Sequence, residues 1–121
     1  MEGAYEYAKL KPLTTTYNYP YVGKNGACRD SQYTGIGRVL DYVHVTPWSP
    51  SALESAVKNQ GPVAVYVNAA KVFLYYTSGI INFKKLCPAK ENHAITVVGY
   101  GNDGTNEFWI CKNSWGSDWG D

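Results

Sequence analysis

Nowhere in these 121 residues does an apolar run approach the ~20 that a membrane span requires. A spanning helix is therefore not expected. Charge of one sign is also missing: 11 Lys and Arg against 10 Asp and Glu leave a net charge of +1. The cations are scattered, so no electrostatic footprint for nucleic acid or an anionic membrane is present. There is no Asn-X-Ser/Thr sequon, and Met1 is followed by EGAYEYAKL rather than by a basic leader and an apolar core, so no signal peptide is expected. Cysteine is scarce and odd in number: Cys28, Cys87 and Cys111. Three cannot all pair within one chain, which leaves reduced thiols as the plain reading of the composition. Their spacing is too wide for a Cys-X-X-Cys zinc or redox motif, so neither a metal nor a cofactor is expected.

What the chain does have is aromatic surface. There are 11 Tyr and 4 Trp, and aromatic residues make up 15% of the sequence. Such side chains suit half-buried surfaces and clefts, with one end apolar and the other wet. A 45% hydrophobic share and 17% charged residues fit a globular domain, and the length fits one domain rather than two. No repeat or low-complexity linker interrupts it.

The periodicities predict an α+β order. EGAYEYAKL puts Ala4, Tyr7 and Ala8 on one helical face, without an N-cap before it. TTTYNYPYVGKNGACR reads as loop, with Pro20 and Asn25-Gly26. GRVLDYVHV alternates Val39, Val43 and Val45 with polar residues and is predicted as a strand. SALESAVKNQGP is predicted as a helix with a Ser51–Glu54 capping box. Its apolar stripe is Leu53, Ala56 and Val57, and its stop is Gly61-Pro62. VAVYV, AITVVGYG and EFWICKNSW are predicted strands. NDGTN joins the last two, and its Asp103-Gly104 is a hairpin signal.

Two histidines are present. His44 lies opposite Val43 and Val45 in DYVHVTP and reads as a surface histidine without a partner. His93 stands at the start of AITVVGYG, where a rigid strand can present a side chain to a cleft. A histidine there is also compatible with a purely structural role. Counting back from the NDGTN turn, however, the hairpin returns Asn113 beside His93. An amide oxygen that fixes an imidazole's ring and tautomer is the orienter–base pair of a nucleophilic triad. Trp115, two residues on, is placed to shield that contact from water. An ordinary His–Asn hydrogen bond at a hairpin end is the competing explanation.

ENHAITVVGYG followed by FWICKNSWGSDWG resembles the histidine and asparagine signatures of the papain family of cysteine proteases. NQGPVAVYVNA is similar to the family's strand after its central helix, YNYPYVGKNGAC to its Tyr-Pro-Tyr loop, and MEGAYEYA to a helix that follows its Cys-Asn-Gly-Gly segment. The resemblance runs from residue 1 to residue 121. It implies part of a papain-like fold. Residues 1–12 would be a helix of the left-hand domain, and about 13–121 mostly the right-hand antiparallel β-barrel or sheet domain without its last strands. It implies His93 as general base, Asn113 as its orienter, Trp115 as the shielding indole and Trp119 as the aromatic on the leaving-group side. Tyr66, Asn92 and Ala94 match one wall of the pocket for the substrate's second residue, with Glu91 on the same rim.

The family's nucleophile lies in a Cys-Gly-Ser-Cys-Trp segment with an oxyanion-hole Gln before it, and neither occurs in these residues. The resemblance places both upstream. Cys28 and Cys87 match halves of two different family disulfides whose partners fall outside the sequence, so a Cys28–Cys87 bridge is not expected. Cys111, inside a strand, reads as a small buried hydrophobe. The expectation is a fragment of a cysteine endopeptidase whose partners are a peptide or protein substrate and the N-terminal half of the same domain. The competing expectation is an inert papain-like scaffold or binding module. By itself the chain is expected to lack peptidase activity and to be poorly stable. The resemblance implies a lysosomal or extracellular location and no cofactor.

Overall fold

A computed structural model describes residues 1–82 and 90–121; the expectation for Cys87 falls outside the described residues. The chain divides into two compact units, Met1–His44 and Val45–Asp121.

In the first unit the helix predicted at the start spans Glu2–Leu10 (α1), with Met1 as an N-cap that makes no side-chain capping bond. Only Ala8 of its expected apolar face is buried; Tyr7 is 41% exposed. Loop follows, with a single 3₁₀ turn at Asp30–Gln32. The strand predicted over GRVLDYVHV is not formed. Among the described residues its only backbone–backbone pairing is one isolated antiparallel bridge, Leu13 with Gly37, and one bond from the Val39 N–H to the Ala8 carbonyl. The Val/polar alternation is present, but alternation makes a strand only where a neighbouring strand completes the ladder. Residues 39–44 instead run along α1. The Lys9 ammonium lies 3.1 Å from the Asp41 carboxylate and Tyr5 stacks on Tyr42 at 5.3 Å. His44 has the partners its sequence context did not suggest: Glu2 at 3.6 Å and the edge of Tyr42.

The second unit is a three-stranded antiparallel sheet with a helix against it. The helix, Pro50–Gln60 (α2), has its N-cap two residues before the predicted one, Ser51. Ser49 is the N-cap and accepts from the Ala52 N–H at 3.3 Å, and Pro50 stands in the first turn. Proline is suited to that place because its fixed φ is helical and its missing N–H would have no helical partner. Ser51 is therefore inside the helix and the Ser51–Glu54 capping box is not made. The helix stops as predicted at Gly61, whose φ of 99° favours a residue without Cβ.

Strands β1 (Val63–Val67), β2 (His93–Asn102) and β3 (Glu107–Lys112) pair in that order. The register of β1 on β2 sets Val67 opposite His93, Tyr66 opposite Ala94, Val65 opposite Ile95 and Val63 opposite Val97. Side chains alternate faces along a strand, so Val63, Val65, Val67, His93, Ile95 and Val97 share one face. That face carries the core: Val97 is 2% exposed, and Ile95 is buried, as is Val57 of α2. Each such fully buried aliphatic side chain stabilises the unit by about 1.5–3 kcal/mol relative to exposure. A short helix not foreseen from the sequence, Lys71–Leu74 (α3), follows β1. Cys111 is exposed, not buried: β3 is the outer strand of this sheet, and apart from Phe108 its residues are exposed. No helix of the described residues is long and apolar enough to cross a membrane.

Candidate active site

His93 is the first residue of β2, on the core face but at the end of the sheet, where it is only half-buried. Asn113 directly follows β3. Its position on His93's face depends on an irregularity in the hairpin. Near the turn the pairs are Asn102 with Glu107 through Gly99 with Ile110; beyond it they are Val97 with Cys111 and Thr96 with Lys112. Val98 is the extra residue, a β-bulge. Continued without the bulge, the first register would set Asn113 across from Thr96, on the face away from His93. With it, Asn113 falls across from Ile95, on the same face as His93. A one-residue shift exchanges the two faces of a strand.

The two side chains meet: His93 Nε2 lies 2.8 Å from Asn113 Oδ1. The direction of the proton follows from a second bond. The Ser114 backbone N–H donates to the same Asn113 Oδ1 at 2.8 Å. Rotating the amide would turn its NH₂ toward that N–H, donor against donor, so the oxygen is the atom between them. An amide oxygen only accepts, and His93 therefore donates from Nε2. Nδ1 makes no hydrogen bond among the described residues. In the neutral ring it is the acceptor, free to take and return a proton. The Asn113 Nδ2 is buried with no partner among the described residues.

Trp115 stacks on the imidazole, with ring centroids 5.2 Å apart and planes at 30°. Trp119 meets Trp115 edge to face at 5.2 Å, and its Nε1–H donates to the Phe73 carbonyl at 2.6 Å. Trp119 is thus anchored on α3, and through it Trp115, which lies against the face of the His93 ring.

Before His93, Asn92 is occupied with the backbone. Its N–H donates to the Val67 carbonyl, and its Oδ1 accepts from the Ala69 N–H at 2.7 Å. Asn68 returns the contact through a bond from Nδ2 to the Lys90 carbonyl, a pairing the sequence reading missed. These bonds fasten the end of β1 to the start of β2. Tyr66 and Ala94 lie opposite each other on the face away from His93, and Tyr66 is 56% exposed. Glu91 is exposed.

Neither described thiol has the setting of an activated nucleophile. Although Cys111 is exposed on the outer strand, partial desolvation by the surrounding protein atoms pushes its thiol up, away from the thiolate form. Cys28 is a free, exposed cysteine in the first unit. No group of His, Cys, Asp and Glu suited to a metal ion occurs among the described residues.

The site is thus an imidazole held through Nε2 by an amide oxygen, with an indole stacked on its ring, at the end of an antiparallel hairpin. The whole chain, residues 1–121, matches the model of the papain family cysteine proteases. It is 40% identical over 121 residues to the cathepsin L-like proteinase of Fasciola hepatica, covering 100% of this chain and 37% of that protein. The structure of digestive procathepsin L 3 from Tenebrio molitor larval midgut superposes with a TM-score of 0.89 at 32% identity, over 100% of this chain and 40% of that one. The bromelain protease of Ananas comosus, solved with the E64 inhibitor, superposes with a TM-score of 0.85 at 35% identity, over 98% of this chain and 54% of that one. The chain belongs to the papain family of cysteine proteases, and it holds a partial papain-like fold. It spans between about a third and a little over half the length of these relatives.

Proposed function

We propose that the chain supplies the proton-transfer half of a papain-like cysteine endopeptidase. His93 is the general base, Asn113 its orienter and Trp115 the shield over their bond. The nucleophilic thiol comes from a Cys-Gly-Ser-Cys-Trp segment outside these residues, as does the oxyanion-hole Gln. The observation that carries the reading is the 2.8 Å bond from His93 Nε2 to Asn113 Oδ1, which leaves Nδ1 as the exchanging nitrogen. In the reaction Nδ1 takes the proton of the thiol, and the resulting thiolate attacks the peptide carbonyl. The imidazolium then returns the proton to the leaving amine. Water next attacks the acyl-enzyme, with Nδ1 accepting its proton, and releases the acid.

Under this reading Tyr66, Ala94 and Asn92 form one wall of the pocket for the substrate's second residue. The Tyr66 ring, with more than half its surface exposed, narrows or floors that pocket. Trp119 lines the leaving-group side. The substrate is a peptide or protein, and the compartment lysosomal or extracellular. Residues 1–12 belong with the left-hand domain and about 13–121 mostly with the right-hand domain. The test is to join the chain in frame to a segment carrying the family's Cys-Gly-Ser-Cys-Trp and Gln, and to measure peptide hydrolysis. Expected is cleavage that falls by ~10²–10⁴ in His93→Ala, the range of general acid–base catalysis. A folded joined chain that stays inert with His93 intact would favour an inert scaffold or binding module instead.

A further inference from the structure

The indole pair over His93 has a foundation of its own. Tyr76 packs on Trp119 with centroids 5.3 Å apart at 50°, and its ring also approaches Gly120, where a Cβ would stand 3.3 Å from it. The Tyr76 hydroxyl donates to the Gly79 carbonyl at 2.7 Å. The Asp121 carboxylate accepts from the Gly79 N–H at 3.1 Å and lies 3.4 Å from the Tyr76 hydroxyl. Three groups from two distant parts of the unit thereby close into one clasp: residues 119–121 on one side, 73–79 on the other. From the clasp an unbroken series of ring contacts leads to the site, Tyr76 to Trp119, Trp119 to Trp115, Trp115 to His93.

We propose that Tyr76, locked by Gly79 and Asp121, is a positioning residue that holds Trp119 and Trp115 in place over the His93–Asn113 bond. The proposal rests on the reading of His93 as the general base, but it concerns a residue that touches neither substrate nor the reacting atoms. One hydrogen bond and one ring contact fix Trp119: its Nε1–H on the Phe73 carbonyl sets the height of the indole, and the Tyr76 ring sets its tilt. Without the ring the indole can pivot about its single hydrogen bond. Trp115 then loses its edge-to-face support, and water reaches the Nε2–H. The hydroxyl acts one step further back, by holding the Tyr76 ring against the 79 turn. Desolvation, and after it the Asp121 charge, pushes the phenol up, so the hydroxyl remains protonated and able to donate at neutral pH. The glycine at position 79 has a φ of 82°, which leaves its N–H and carbonyl both turned toward the clasp without backbone strain.

The experiment uses the joined chain described above, ¹⁵N-labelled, with Tyr76→Ala, Tyr76→Phe and Asp121→Ala variants. Two quantities are read: hydrogen exchange of the His93 Nε2–H, assigned by its loss in His93→Ala, and kcat and KM for a peptide substrate. In the unaltered chain the Nε2–H is expected to be protected. Tyr76→Ala is expected to speed its exchange at least ~10-fold and to lower kcat by a similar factor with KM little changed, the mark of lost transition-state rather than uniform binding. Tyr76→Phe, which keeps the ring, is expected to restore most of both, and Asp121→Ala to resemble Tyr76→Phe. Should Tyr76→Ala not fold, the other two decide. Exchange about 2–5-fold faster than in the unaltered chain, with kcat lowered alongside, supports the clasp. Exchange and kcat unchanged in every folded variant would overturn it while leaving the role of His93 intact. An Nε2–H already unprotected in the unaltered chain would overturn both.

Discussion

His93 donates from Nε2 to Asn113 Oδ1 across 2.8 Å, and the two share a face because β2 carries one residue more than β3 between Val97 and Gly99. The pairing thus depends on a bulge at a side chain, Val98, that takes no part in it. Val98 is 42% exposed, so its own burial contributes little. Its effect is on register.

Deleting Val98 is the direct check on that register. Without the extra residue the ladder runs from Gly99–Ile110 straight to Val97–Cys111 and Thr96–Lys112, so Asn113 stays across from Ile95 on the face of His93. In the joined chain the His93 Nε2–H is expected to keep its protection and hydrolysis to persist. Lost protection in a deletion variant with an intact sheet would mean that the local bend of the bulge, and not the residue count, brings Asn113 to His93.

Trp115→Ala removes the ring stacked on the imidazole. Loss of an aromatic pair costs about 0.5–1.5 kcal/mol beyond the area exposed. A lower urea midpoint is expected, together with faster exchange of the His93 Nε2–H. A lowered midpoint with exchange unchanged would make Trp115 a packing residue and remove its shielding role.

The turn of the hairpin supplies a prediction about acid. The Asn106 N–H, and after it the Thr105 N–H, hold the Asp103 carboxyl below its usual range. Asp103 Oδ1 accepts from them at 2.7 and 2.8 Å. A carboxyl depressed in the folded state stabilises it above the unfolded pKa, near 3.8, and that stability is lost as pH falls through the lower folded value. Asp103→Asn should therefore flatten the fall in hairpin stability below about pH 4, followed by amide protection in β2 and β3. An unchanged acid profile would refute the linkage.

At the alkaline end the same reasoning applies to the first unit. Tyr7 is pushed up to about 12, first by its hydrogen bond to Asp30, and its hydroxyl lies 2.9 Å from that carboxylate. A phenol raised in the folded state stabilises it fully below the unfolded value of 10.0. That contribution disappears as pH rises through about 12. Comparing unfolding midpoints of the unaltered chain and Tyr7→Phe should give a gap that is constant below pH 10 and closes above it. A gap that stays constant to the highest pH would contradict the assignment.

Much of the second unit was legible in the sequence because its signals are local. Val63–Val67 alternates, Gly61-Pro62 stops a helix, and Asp103-Gly104 sits where Gly104 takes a φ of 92°. Counting from that turn was enough to bring Asn113 near His93, but not to choose its face. Val97 and Val98 are adjacent and equally apolar, so alternation does not reveal which one bulges. The helix start was misplaced by the same kind of ambiguity: Ser49 and Ser51 both have capping chemistry, and Pro50 between them decides for Ser49. The strand expected at 37–45 failed for a different reason. Its pattern is local, but its ladder required a partner that no local pattern specifies. Tyr76 and Asp121 were invisible because 45 residues separate them and neither belongs to a motif.

The role of His93 is tested most directly by the rate at which an alkylating reagent modifies the nucleophilic thiol of the joined chain, followed against pH. A thiol beside His⁺ reacts as thiolate with a midpoint brought down to ~3.5–7.5, whereas a free cysteine titrates near ~8.5. The account predicts the low midpoint in the unaltered chain and a return to about 8.5 in His93→Ala. A midpoint near 8.5 in both, or a low midpoint that survives His93→Ala, would contradict it.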